Sequence, residues 1–327
     1  MKLGSPGTCR RRLLLRWFLR ILLAVGVALL LSEMALRLVL GLGDPPLYEV
    51  HQSIEYLMKP GVYKRFGNTI TVNSAGMRSP ETALLPMAPG ARRVLVVGDS
   101  IVNGGSLTDD RALATALLAN RLDGGVPSSV CNISAGSWGP GNWLAFLRDR
   151  GTFSAQFAVL VLNDGDAADA PTFASLGPEH PTSRPLLASW EVLRNYLPRY
   201  VPLLRPPPSS PSRRTNAADP LDQLSDGVAL LRDSGVATCA VLFPTESEVR
   251  DGPGDGFIAI KTRLAALGVP TIDARDELRS AIARGEAPFR DGVHLNVAGQ
   301  ALLAESCMRA LRMVGVADLQ PGSTSVP

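Results

Sequence analysis

Histidine and cysteine are scarce in this chain. The 327 residues include three histidines (His51, His180, His294) and four cysteines (Cys9, Cys131, Cys239, Cys307). No two cysteines stand in C-x-x-C spacing, which excludes a zinc ribbon and gives little support to a disulfide framework. Cys131 and Cys239 lie inside apolar runs and read as small core hydrophobes. There is no H-E-x-x-H, and no G-K-[ST] follows the glycines, so neither a metal site nor a phosphate loop is expected and no cofactor is assigned. No repeat of fixed period is visible. Charged residues make up 19% and hydrophobic ones 46%, a globular balance that excludes a disordered or fibrous chain. Positive charge collects at one end: residues 1–43 hold seven Lys and Arg against Glu33, leaving 26 basic and 29 acidic residues in the rest. A slightly acidic body speaks against a nucleic-acid partner.

What is present begins with a long apolar run, residues 13–42 (LLLRWFLRILLAVGVALLLSEMALRLVLGL). As a helix it would reach about 45 Å, enough to cross a bilayer. Arg16, Arg20 and Trp17 suit the headgroup depth, and Glu33 and Arg37 can pair at i,i+4. Arg10, Arg11 and Arg12 predict a cytoplasmic N-terminus, hence a single-pass inner-membrane protein whose body faces the periplasm or the exterior. A cleaved signal peptide is the alternative. Glu33 and Met34 stand where its small-x-small site would be. A twin-arginine signal has weaker context.

The body reads as alternating strands and helices. Apolar runs at 93–97 (RVLVV), 129–133, 157–162 (FAVLVL), 237–243 and 269–273 alternate with helical stretches at 112–122, 142–150, 221–233 and 257–267. That alternation predicts βαβ units, hence a three-layer α/β/α, flavodoxin-like domain on a five-stranded parallel sheet. The expected division is a stub and anchor at 1–43, a linker with two short β pieces at 44–90, the α/β domain at 91–315 and a loose tail at 316–327. A long proline-rich insertion, 165–220, interrupts the domain. It contains a helical piece at 186–204 and a run at 206–212 expected to be disordered. Trp190, Tyr196 and Tyr200 either line a cleft or cover the sheet edge.

Ligands of open parallel sheets bind beyond the carboxyl ends of the strands. Those ends carry Gly98-Asp99-Ser100, Ser134-Ala135-Gly136 and Asn163-Asp164, and Asp291-Gly292-Val293-His294 precedes the last helix. These are the parts of an acyl-transfer site. A serine hydroxyl needs a base, which His294 can be, and the imidazole needs its other nitrogen held, which Asp291 can do. The N–H groups of Ser100 and Gly136 and the Asn163 amide could receive the oxyanion, with Gly139 and Gly141 as rivals of Gly136. Asp99 could simply cap the following helix. His180 lies in the insertion and reads as an exposed loop residue that could also touch substrate. His51 has no partner pattern.

On these residues the chain resembles the SGNH/GDSL hydrolase superfamily over roughly 93–312, about two thirds of its length. The resemblance implies Ser100 as nucleophile, Gly136 and Asn163 as oxyanion donors, and Asp291 and His294 as acid and base. Val72-Asn73-Ser74-Ala75-Gly76-Met77-Arg78 is similar to a segment of membrane-anchored bacterial members, which implies that residues 47–90 fold onto the catalytic domain. Departures are Val161 in place of a glycine before Asn163, and Ile101 in place of leucine after Ser100. The implied activity is an exported serine esterase acting on an acyl-ester substrate, such as O-acetyl esters of surface polysaccharides. The alternatives are a polysaccharide O-acetyltransferase with the same triad, or a binding module that keeps the fold without the chemistry.

Overall fold

The computed structural model describes residues 6–122, 127–201 and 218–316. The proline run 206–212 and the tail beyond Val316 lie outside the described residues. Helix α1 (Pro6–Leu38) opens the chain. Its stretch Leu13–Leu38 is long and apolar enough to cross a membrane, and its leucines other than the half-buried Leu36 are exposed. The helix stops short of residue 42. The Leu42 N–H reaches back to Leu36 O (3.0 Å), and Gly41 turns with φ +67. A Cβ at Gly41 would lie 2.0 Å from Lys64 O, so only glycine lets the chain settle onto the body there.

Residues 44–90 form two antiparallel hairpins instead of two short pieces. Strand β1 (Tyr48–His51) pairs with β2 (Glu55–Met58), and β3 (Gly61–Arg65) with β4 (Asn68–Val72). The second turn takes φ 51 at Phe66 and φ 79 at Gly67, the doubly positive turn a tight hairpin needs. Phenylalanine at the first position hides that turn from the usual Asn-Gly or Asp-Gly signature.

The main sheet is built from β5 (Arg92–Gly98), β6 (Ser128–Ser134), β7 (Phe157–Leu162), β8 (Ala237–Leu242) and β9 (Thr271–Asp273). All are parallel, in the order β6-β5-β7-β8-β9. The edge strand β9 starts later than expected, because the Val269 N–H still bonds Leu264 O at the preceding helix end (3.0 Å). Helices are α2 (Ser100–Asn103), α3 (Ala114–Leu122), α4 (Pro140–Arg150), α5 (Ala188–Glu191), α6 (Leu197–Tyr200), α7 (Pro220–Asp233), α8 (Glu246–Asp251), α9 (Asp255–Ala266), α10 (Arg275–Ala283) and α11 (Val297–Met313).

Alternate strand residues serve opposite cores, which is why the runs are apolar throughout. Leu95, Val97, Ile133 and Leu160 pack with Trp143 of α4, Leu224 of α7 and Phe257 of α9. Val94, Val96, Val159 and Val161 pack with Leu118 of α3, Leu278 of α10 and Leu303 of α11. The first core also takes in Ile54, Tyr56, Leu57 and Met77 from the hairpin segment. Arg78, almost wholly buried, donates to the carbonyls of Asn103, Gly105 and Thr108 and so shapes the loop that follows α2.

The insertion is tied down by three carboxylates. Glu55 accepts from Asn142 Nδ2 (3.0 Å) and from the N–H groups of Thr172 and Phe173 (3.0 and 2.9 Å). Glu191 is buried, paired with Arg65, and accepts from the Gly43 N–H at 2.7 Å. Glu33 of α1 pairs with Arg37 at 2.7 Å, as its spacing predicts, and accepts from the N–H groups opening α5. Between α5 and α6 runs a π-turn (Val192–Tyr196). Pro198 has no N–H to offer the carbonyl of Arg194, and the backbone widens ahead of it.

Candidate active site

The carboxyl ends of β5, β6 and β7 bring three of the expected residues together. Strand β5 ends at Gly98, where nothing larger fits: a Cβ there would lie 2.9 Å from Val161 O and 2.7 Å from Val102 Cγ2. The next residue, Asp99, caps α2 by accepting the Ile101 N–H at 2.8 Å. That cap holds Ser100 at the first position of a one-turn helix. Two buried asparagines clamp α2 against β6: Asn103 Nδ2 donates to Ser134 O (3.0 Å), and Asn132 Nδ2 to Val102 O (3.1 Å).

His294 arrives from a separate loop, between α10 and α11. Its Nε2 lies 3.1 Å from Ser100 Oγ. Its Nδ1 lies 2.9 Å from Asp291 Oδ2. Asp291 also accepts the N–H groups of Val293 (2.9 Å) and His294 (2.7 Å), so one carboxylate shapes the turn and orients the ring. Partial burial alone would raise that carboxyl; the two N–H groups and the imidazole outweigh it and hold it down to about 2. The loop is fastened to the nucleophile's surroundings. The Arg290 N–H donates to His294 O (2.7 Å), and its guanidinium to Thr108 Oγ1 (2.8 Å). Gln300 of α11, fully buried, accepts from Ala114 N–H (2.8 Å) and donates to Ile101 O (2.9 Å).

Gly136 lies beyond β6 facing open space: a Cβ there would meet only His180 Nε2, at 3.9 Å. Its rivals are committed elsewhere. The Gly139 N–H bonds Asn142 Oδ1 (3.0 Å), and a side chain at Gly139 or Gly141 would collide with Asp169 or Gln223. Asn163 is almost buried at the end of β7. Its Nδ2 donates to Asp99 Oδ2 (2.9 Å), its Oδ1 accepts the Gly165 N–H (2.9 Å), and its own N–H donates to Asp166 Oδ2 (2.8 Å). The amide has a second hydrogen to present. Val161 sits in the helix-packed core, so it leaves this arrangement undisturbed.

Several partners were invisible to sequence reasoning. The Tyr56 hydroxyl, from β2, donates to Gly136 O. His180 is half-buried and packs on the rings of Tyr48 and Tyr56, 4.8 and 4.5 Å between centroids. Burial holds its imidazole below the ordinary value. The insertion therefore reaches the site through His180. Trp190 and His180 line a cavity of about 570 Å³ together with Leu176, Leu186, Leu187 and Arg194. Tyr196 instead accepts a bond from Arg65 (2.9 Å) and packs on Phe66, while the Tyr200 side chain lies outside the described residues. His51 closes the β1–β2 turn, Nδ1 accepting from Ile54 N–H at 3.2 Å.

Asp99 and Asp166 form an acidic floor beneath Asn163. Burial raises both carboxyls, and the Asp99 charge raises Asp166 further. An acid whose folded pKa lies above its unfolded value, about 3.9 for Asp, costs stability progressively as pH rises from one value toward the other. Asp166→Asn keeps an oxygen for the Asn163 N–H and removes the titration. Its Tm should therefore fall less steeply than that of the parent as pH rises from about 4. Parallel Tm–pH curves would show that Asp166 titrates normally.

No family model and no curated protein matches the chain. Among solved structures, it is similar to a member of the lipolytic protein G-D-S-L family from Veillonella parvula DSM 2008, at 14% identity and TM-score 0.42, covering 68% of this chain and 99% of that one. It is similar to a catalytic mutant of the acetylxylan esterase Axe2 from Geobacillus stearothermophilus, at 12% identity and TM-score 0.44, covering 72% and 100%. It is also similar to the lipase/acylhydrolase from Enterococcus faecalis, at 15% identity and TM-score 0.42, covering 71% and 100%.

Proposed function

We propose that this chain is an esterase of the SGNH type, held in a membrane by α1 with its arginine-rich end in the cytoplasm and its body on the far side. The observation that carries the chemistry is the 3.1 Å approach of His294 Nε2 to Ser100 Oγ, with Asp291 2.9 Å behind the ring. His294 takes the hydroxyl proton as Ser100 Oγ bonds to the ester carbonyl carbon. Negative charge moves to the carbonyl oxygen, where the N–H groups of Ser100 and Gly136 and the free Asn163 hydrogen receive it. Collapse of the intermediate breaks the bond to the alkoxy oxygen, and His294 returns the proton to the departing alcohol. Water repeats the sequence on the acyl-enzyme, releasing the acid and restoring Ser100.

Hydrolysis is favoured over transfer to a sugar by the openness of the base. The His294 side chain is 46% exposed and that of Asp291 55%, so water reaches the acyl-enzyme directly. The substrates proposed are small O-acyl esters, among them the acetyl esters of surface glycans. The full-length protein in detergent should release p-nitrophenol from p-nitrophenyl acetate, and acetate from an acetylated polysaccharide. A protein that turns over neither ester and takes up no fluorophosphonate at Ser100 would be a binding module instead.

A further inference from the structure

The insertion carries an amphipathic stretch that is turned inside out. Ala188 and Glu191 are buried and point inward, Glu191 onto Arg65. The large apolar side chains point outward: Leu186 is 95% exposed, Leu187 53%, Trp190 57% and Leu193 51%. Leu187, Trp190 and Leu193 follow one another at three-residue intervals, an apolar stripe on the outer side of the helical turns. In water such a stripe is costly, and a contiguous patch of this kind marks a surface that is covered in use.

Its position says by what. Arg37, in the last turn of α1, donates to Leu186 O at 2.6 Å. Glu33, one turn earlier, accepts the N–H groups of Ala188 (2.6 Å) and Ser189 (3.0 Å). The stripe therefore begins at the foot of the helix that is long and apolar enough to span a bilayer. Arginines border it: Arg194 is exposed, and Arg184, also exposed, is paired with Asp44. Tryptophan and leucine bordered by arginine are what a helix lying in the headgroup region presents to lipid.

We propose that the face formed by Leu186, Leu187, Trp190 and Leu193 rests on the surface of the bilayer that α1 crosses, making the insertion a second, interfacial membrane contact. This rests on the reading of α1 as a membrane span. The cavity of about 570 Å³, which shares Leu186, Leu187 and Trp190 with this face, then has its mouth at the lipid surface. Glu33 and Arg37, poorly suited to hydrocarbon, come to headgroup depth, where their bonds to the insertion satisfy them.

Tryptophan quenching tests this in the full chain, reconstituted in phosphatidylcholine–phosphatidylglycerol vesicles brominated near the headgroup end of the acyl chains. Trp138 and Trp143 are each 1% exposed and serve as an unquenched background. In Trp17→Phe the brominated lipid should still quench part of the emission, and Trp17→Phe/Trp190→Phe should lose that part. Quenching in the parent that disappears wholly in Trp17→Phe would overturn the interfacial contact while leaving the span intact. No quenching in parent or Trp17→Phe would overturn both. A Trp190 shielded by a second copy of the chain would also escape the lipid bromines, and so counts against the proposal.

Discussion

Replacing Ser100 by alanine should lower kcat on p-nitrophenyl acetate by roughly 10⁵–10⁶-fold, the loss expected when a triad nucleophile is removed. The same variant should lose fluorophosphonate labelling altogether, because the phosphorus has no oxygen to bond as fluoride leaves. The fold should be unaffected. Helix α2 is capped by Asp99 rather than by Ser100, and its clamps to β6 run through Asn103 and Asn132. An unchanged Tm beside a collapsed kcat separates loss of chemistry from loss of structure. Retained activity in Ser100→Ala would remove the esterase reading. A residual rate about 10³–10⁴-fold above the uncatalysed reaction is consistent with oxyanion donors that do not depend on the hydroxyl.

The layered sheet was legible because its strands are buried on both faces. A run such as RVLVV has no polar side to confuse it with a surface strand, and the ends of those runs locate Ser100, Gly136 and Asn163 without any knowledge of contacts. Asp291 and His294 were legible for a local reason: three residues in one turn let a carboxylate reach both the backbone and the ring. The remaining parts are contacts between distant segments. Tyr56 meets Gly136 across 80 residues, and Asp99 meets Asn163 across 64. No local pattern encodes either.

The helical piece of the insertion was legible, and it runs from Ala188 to Tyr200. What holds it was not, because its turns are set by carboxylates that lie far away in the chain. Glu33 sits 155 residues before the Ala188 N–H it accepts. Glu55 belongs to a hairpin whose turn residues lack the usual signature, so the surface it offers to Thr172 and Phe173 could not be anticipated. His180 read as an exposed loop residue because its burial comes from Tyr48 and Tyr56, supplied by that same hairpin.

Asp291→Asn is expected to cost about 10⁴-fold in kcat, with KM little changed, through the tautomer of His294 rather than through the turn. The amide oxygen of asparagine can still accept the N–H groups of Val293 and His294, now bonded at 2.9 and 2.7 Å, so the loop should keep its shape. Facing His294 Nδ1 it would present an NH₂ donor. The ring nitrogen must then be the unprotonated one, which moves the proton to Nε2. A protonated Nε2 can donate to Ser100 Oγ but cannot take its proton. Labelling by fluorophosphonate should slow by a similar factor, since it too requires the serine to be deprotonated. In the parent, Asp291 stays ionised down to about pH 2, so loss of activity at milder acid pH must come from another group. A kcat within ten-fold of the parent would mean that the Asp291 contact does not set the tautomer of His294, and that the imidazole draws its orientation from the turn alone.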